Sequence, residues 1–171
     1  MTKERSHKKQ RTFHRNVPKK SKEHPRGTFL KKCKNVSWLK KTHIFTRFHD
    51  PNAPGHKGLD LAIPINTEVR ATHDGVVVKA DYNPLYGNLV VVQNSFYSTW
   101  YAHNAYLLVR QGDEVHCGDL LALSGSTGKS TGPHLHYEVH DNQDTPLNPE
   151  DYLGEDSEVL KFRGCNPGGE K

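Results

Sequence analysis

With 171 residues and 33% apolar content, the chain can fill one domain of about 100 to 150 residues, and it falls short of the roughly 45% apolar share of a fully packed protein. Its formal charge of +5 describes neither half: residues 1–41 hold fifteen of the 24 Lys and Arg beside Glu4 and Glu23, about +13, while residues 42–171 carry about −8. No run approaches the ~18 consecutive apolar residues of a membrane span, and the charged opening has no apolar segment behind it, so neither a spanning segment nor a signal peptide is expected.

Residues 1–41 offer few large apolar side chains to offset the entropy of ordering them, and a basic, disordered N-terminal tail is expected there. Lys and Arg clusters attract polyanions, so the tail is either a contact for a phosphate-rich polymer or a merely solvated arm. From Thr42 the texture changes to short β-branched runs. Strands are predicted over 67–72, 75–80, 88–93, 98–103, 114–117, 119–123 and 134–139, with turns at Asp74-Gly75, Tyr86-Gly87-Asn88, Gln111-Gly112-Asp113 and Gly118-Asp119. No helical period interrupts them, so residues 42–153 read as one all-β domain, mainly antiparallel. Residues 154–171 turn polar again and read as a C-terminal tail.

Cys33, Cys117 and Cys165 lie far apart without metal-binding spacing and are expected to be unpaired thiols. Twelve histidines are too many for all to be functional. His7, His14, His24, His43, His73, His116 and His140 read as exposed or turn residues. Three segments stand apart: GHKGLD at 55–60, YAH at 101–103 and GPHLHYE at 132–138. Side chains two apart on a strand share a face, so His134 and His136 can enter one cleft, and His56 and Asp60 can meet them. Two imidazoles and a carboxylate form a three-ligand zinc set with a fourth position open to water, the pattern of catalytic sites. The remaining imidazoles, His103 and His134, can handle protons near neutral pH.

In order along the chain, HKGLD at 56–60, Asp74-Gly75-Val76, Tyr86-Gly87-Asn88, WYAHN at 100–104 and GSTGKSTGPHLHYEV at 125–139 closely resemble the lysostaphin/LytM-type zinc endopeptidases, over about 45–152. The resemblance implies one Zn2+ per chain held by His56, Asp60 and His136, catalytic roles for His103 and His134, the barrel-sandwich-like fold of that family, and hydrolysis of peptide bonds in bacterial peptidoglycan. Family members often carry a tyrosine ahead of the first zinc-binding histidine. Here Phe48 and His49 stand nearest that place. Asn88, Ser126 and Thr127 are further candidates for lining a substrate groove, and Gly58 for close backbone approach.

Three rivals compete. An inactive wall-binding or hydrolase-activating module on the same fold would have lost a ligand, and none is lost. A lipoyl-type carrier lacks a lysine at the hairpin tip. A nucleotide site at Gly128-Lys129-Ser130 fails because Leu123 stands where the pattern needs glycine. The expected setting is the bacterial cell wall, reached by lysis, as a virion component or by non-standard export, and the expected state is a monomer.

Overall fold

The structure, a computed structural model, describes Leu39 and residues 42–152; the expected polar C-terminal tail and the basic tail apart from Leu39 lie outside these residues. Ten strands follow in chain order: β1 (His43–Thr46), β2 (Leu59–Ala62), β3 (Glu68–Arg70), β4 (Gly75–Asn83), β5 (Gly87–Gln93), β6 (Tyr97–Leu107), β7 (Glu114–Val115), β8 (Leu120–Ser124), β9 (Leu135–Asp141) and β10 (Pro146–Leu147). One 3-10 turn, Pro149–Tyr152, closes the described chain. Every predicted strand is present. β1, β2 and β10 were not anticipated, because their two to four residues are too few for a two-residue period to emerge.

All pairings are antiparallel, and the main path runs β1-β2-β9-β6-β5-β4-β7, with β10 on β9 and β8 bridging β3 and β6. Alternation sorts the side chains. On β9, Leu135, Tyr137 and Val139 enter the main core beside Leu59 and Leu61 of β2, Val90 and Val92 of β5, and Tyr101 of β6. The opposite face of β5 and β6 buries a smaller cluster, Leu89, Val91 and Ala102, flanked by Tyr86 and Trp100. β5 is thus apolar on both faces, which explains its unbroken Leu89-Val-Val-Val92 run. Leu39 also packs in the main core, 1% exposed, so the stretch assigned to the tail contributes at least this side chain to the domain.

Two of the histidines read as exposed or turn residues are instead buried, His73 at 4% and His140 at 3% exposure. His73 was misjudged because its partner Thr99 is distant in sequence, whereas His140 pairs with its near neighbours Glu138 and Asp144. His73 lies against a polar knot in the core, its Nε2 2.9 Å from Thr99 Oγ1, with the Tyr101 hydroxyl accepting from Thr72 N at 2.9 Å and from Thr99 Oγ1 at 3.0 Å. Cys117 is also corrected, since it is disulfide-bonded.

Burial lowers the His73 pKa from 6.5, outweighing the Asp74 carbonyl and charge that favour the imidazolium. The unfolded chain therefore takes up this proton first as pH falls. The stability His73 contributes is complete above about pH 6.5 and is lost on acidification through its lowered folded value. Denaturant unfolding at pH 7 and pH 5 is expected to show a larger loss for the parent than for His73→Gln. Equal losses would refute the assignment.

Candidate metal centre and catalytic cleft

The face of β9 opposite the core presents His136, Glu138 and His140 in a two-residue period, with His134 just ahead. Antiparallel register sets Asp60 of β2 directly across from His136, while Ala102 and Trp100 of β6 stand opposite His136 and Glu138. His56 reaches the same place from the turn between β1 and β2. That turn passes close to β9 at Gly58, where a Cβ would come 2.3 Å from Tyr137 O, so the expected close approach is realised.

The three predicted ligands meet. His136 Nδ1 is 2.8 Å and His56 Nε2 3.1 Å from Asp60 Oδ1, the two ring nitrogens are 3.1 Å apart, and one donor atom from each residue lies within 4.8 Å of the others. The outer nitrogen of each ring is engaged. His56 Nδ1–H donates to Arg47 O at 2.8 Å and His136 Nε2–H to Glu138 Oε1 at 2.7 Å, so His56 Nε2 and His136 Nδ1 turn inward toward Asp60. Burial opposes charge on Asp60, but hydrogen bonds from His136 and His56 hold its carboxyl well below the usual carboxylate range. Burial likewise opposes charge on His136, yet Asp60 and Glu138 push its pKa up to about 9. A half-buried, ionised carboxylate with two imidazole nitrogens turned toward it suits a cation. Two nitrogens and one oxygen, with outer partners fixing the tautomers, fit zinc.

His103 and His134 flank this cluster with ring centroids 4.6 Å apart. His134 Nδ1–H donates to Gly132 O at 2.8 Å, and its Nε2 lies 3.7 Å from Asp60 Oδ1. His103 Nδ1–H donates to Thr127 O at 2.7 Å, and burial lowers the pKa of its ring. Each is therefore anchored by a backbone carbonyl and leaves Nε2 free to accept a proton. His103 adopts a left-handed backbone, φ 64°, where β5, β6 and β8 shift register. This local departure re-aims its side chain out of the simple alternation of β6.

The other candidates divide. Thr127 positions His103 through its carbonyl, while its hydroxyl accepts from Asn88 N at 2.9 Å and donates to Asn104 O at 2.7 Å. Asn88 spends its amide on Asn104 O and Ala105 O, at 3.0 and 2.9 Å, joining β5 to β6 rather than facing a groove. Ser126 Oγ is 3.0 Å from Ser130 Oγ, which in turn is 3.2 Å from His134 Nδ1. The turn carrying these residues sits against Gly87, where a Cβ at Gly128 would come 2.2 Å from Gly87 N.

Phe48 and His49 stack on one another, centroids 4.1 Å apart, and among the described residues neither makes a ring contact with His103, His134 or His136. The ring that meets His134 belongs to Phe45, edge-on at 5.5 Å and half exposed. Sequence reasoning passed over Phe45, Arg47, Tyr86, Glu138 and His140 as partners of the site. For Glu138 and His140 the signal was available, since they continue the alternation that His134 and His136 begin.

An antiparallel β domain with two imidazoles and a carboxylate converging beside two carbonyl-anchored histidines has the makings of a metallohydrolase. The profile of peptidase family M23 matches residues 54–149, and the chain belongs to that family. The catalytic domain of lysostaphin from Staphylococcus simulans superposes with a TM-score of 0.63 at 30% identity, covering 68% of this chain and 96% of that one. A zinc-containing peptidase from Vibrio cholerae superposes with a TM-score of 0.57 at 38% identity, covering 62% of this chain and 35% of its own. Among curated relatives, the peptidoglycan DD-endopeptidase ShyA of Vibrio cholerae is 48% identical over 85 residues, 49% of this chain and 20% of ShyA. An uncharacterised metalloprotease of Buchnera aphidicola is 42% identical over 111 residues, 60% of this chain and 29% of that protein. The chain thus spans less than a third of the length of these two curated relatives.

Proposed function

We propose that this chain is a zinc endopeptidase that cuts peptide bonds in bacterial peptidoglycan, with the metal held by His56, Asp60 and His136. The observation that carries the reading is the convergence of those three donors with the outer nitrogen of each imidazole already bonded. The lysostaphin likeness and the ShyA match support the substrate class. Zinc bound at this set supplies Lewis acidity, polarising a carbonyl and acidifying water.

The chain's own residues do the rest. His134, whose Nε2 lies 3.7 Å from Asp60 Oδ1, takes the water proton at Nε2. That proton passes to Nε2 of His103, anchored on Thr127 O with its ring centroid 4.6 Å from that of His134, and from there to the departing amine, so both rings end neutral. Phe45 covers one edge of His134 and limits water there. Phe48 stacks on His49.

The reading predicts that zinc-loaded protein releases new amine ends from purified peptidoglycan, located by mass analysis of the fragments. The same digestion across walls with different cross-bridges identifies the bond. Intact walls from every source after exposure to zinc-loaded protein would refute it in favour of a wall-binding module. The basic residues 1–41 are proposed to add salt-sensitive attraction to anionic wall polymers. No helix among the described residues is long and apolar enough to cross a membrane.

A further inference from the structure

The site face of β9 does not end at His136. Glu138 is buried, 1% exposed, and its carboxylate is surrounded by donors. Oε1 accepts from His136 Nε2 at 2.7 Å and from the Tyr86 hydroxyl at 3.0 Å, and Oε2 from His140 Nε2 at 2.5 Å. His140 in turn places Nδ1 2.9 Å from Asp144 Oδ1. With a carboxylate oxygen at each ring nitrogen, both nitrogens of His140 carry protons, and the resulting imidazolium lies flat on Trp100, centroids 4.8 Å apart and planes 16° apart. An alternating series of acid and base thus runs from Asp60 through His136, Glu138 and His140 to Asp144, whose side chain is 77% exposed.

We propose that His140, held by Trp100 and Asp144, is a positioning residue for the metal centre: its charge and N–H anchor the Glu138 carboxylate against His136 Nε2–H, fixing the His136 ring with Nδ1 toward His56 and Asp60. The proposal rests on reading that triad as a metal site. Without His140, Glu138 Oε2 loses its donor in a buried setting, and the carboxylate must turn, hydrate or take a proton. Each response loosens its hold on His136 Nε2–H and frees the ring to present the wrong nitrogen. The Tyr86 hydroxyl binds the same oxygen as His136 and cannot replace a donor at the other.

The test is zinc affinity, measured by chelator competition, so that it reads the metal and not turnover. His140→Phe keeps a flat ring for Trp100 and removes both N–H groups. It is expected to melt near the parent temperature without metal and to bind zinc about ten- to a hundredfold more weakly, the usual range for loss of an outer partner. His140→Gln restores one donor without the charge and should recover part of the loss. Parental affinity in folded His140→Phe overturns the proposal. If that variant does not fold, Asp144→Asn, altered only at an exposed side chain, decides: weaker zinc binding supports the proposal and unchanged binding overturns it. Failure of the parent chain to bind zinc would remove the metal reading and this proposal with it, whereas equal binding by parent and variant removes this proposal alone.

Discussion

Asp60→Ala and His136→Ala proteins are expected to emerge nearly free of zinc under conditions that load the parent with one ion per chain. Free energies of about 10–16 kcal/mol for four-ligand structural zinc sites correspond to about 3 kcal/mol per ligand, so losing one protein ligand should weaken binding a hundredfold or more. Asp60 is the more instructive of the pair. Its Oδ1 faces His56, His134 and His136 at 3.1, 3.7 and 2.8 Å, making it the one carboxylate common to those three imidazoles. Its removal also leaves three neighbouring rings without their shared counter-charge. Elemental analysis after dialysis against a weak chelator gives the answer. Full occupancy in Asp60→Ala would show that the metal binds elsewhere.

His103→Ala and His134→Ala should behave in the opposite way, retaining zinc while losing a hundredfold or more in turnover. Neither ring is needed to complete the three-donor set, and both direct Nδ1 to a backbone carbonyl. What is lost is proton handling at Nε2, for which water is a poorly placed substitute. The two variants also separate the roles. His134 stands 3.7 Å from Asp60 and is expected to govern attack, whereas His103 is expected to weigh more heavily on peptides with poor leaving amines. Single-turnover rates on a matched peptide series would measure the difference. Near-parental rates in either variant would strike that histidine from the mechanism.

The sequence disclosed the domain's strands where turn residues bounded β-branched runs, as at Gly75-Val-Val-Val and Asn88-Leu-Val-Val-Val. It also disclosed the histidines and Asp60 as a set, through an ordered pattern shared with a known family. Hidden from it were features made by pairing between distant segments. The register that faces Asp60 with His136 belongs to β2 and β9 together, and β2 is too short to announce itself. The left-handed turn at His103 depends on an irregularity shared by three strands. His140 looked like a surface residue because Glu138 and Asp144 read as ordinary polar positions until their side chains were seen on either side of one ring. Phe48 and His49 were named for standing nearest ahead of His56 along the chain, and nearness along a chain does not say which ring meets His134.

The carbonyl that orients His56 belongs to Arg47, whose guanidinium forms an ion pair with Glu150, a carboxylate only 5% exposed beside the closing 3-10 turn. The strut thus joins residues 103 positions apart and brackets the segment that carries the candidate ligands and both cleft histidines. Its two ends fall just outside the stretch, 54–149, over which the family resemblance is recognised. A fragment trimmed to that stretch would keep every candidate ligand and both cleft histidines, yet it would surrender the backbone acceptor of one ligand and the brace that holds it. For this protein, the length of chain sufficient for recognition is shorter than the length sufficient for a rigid site.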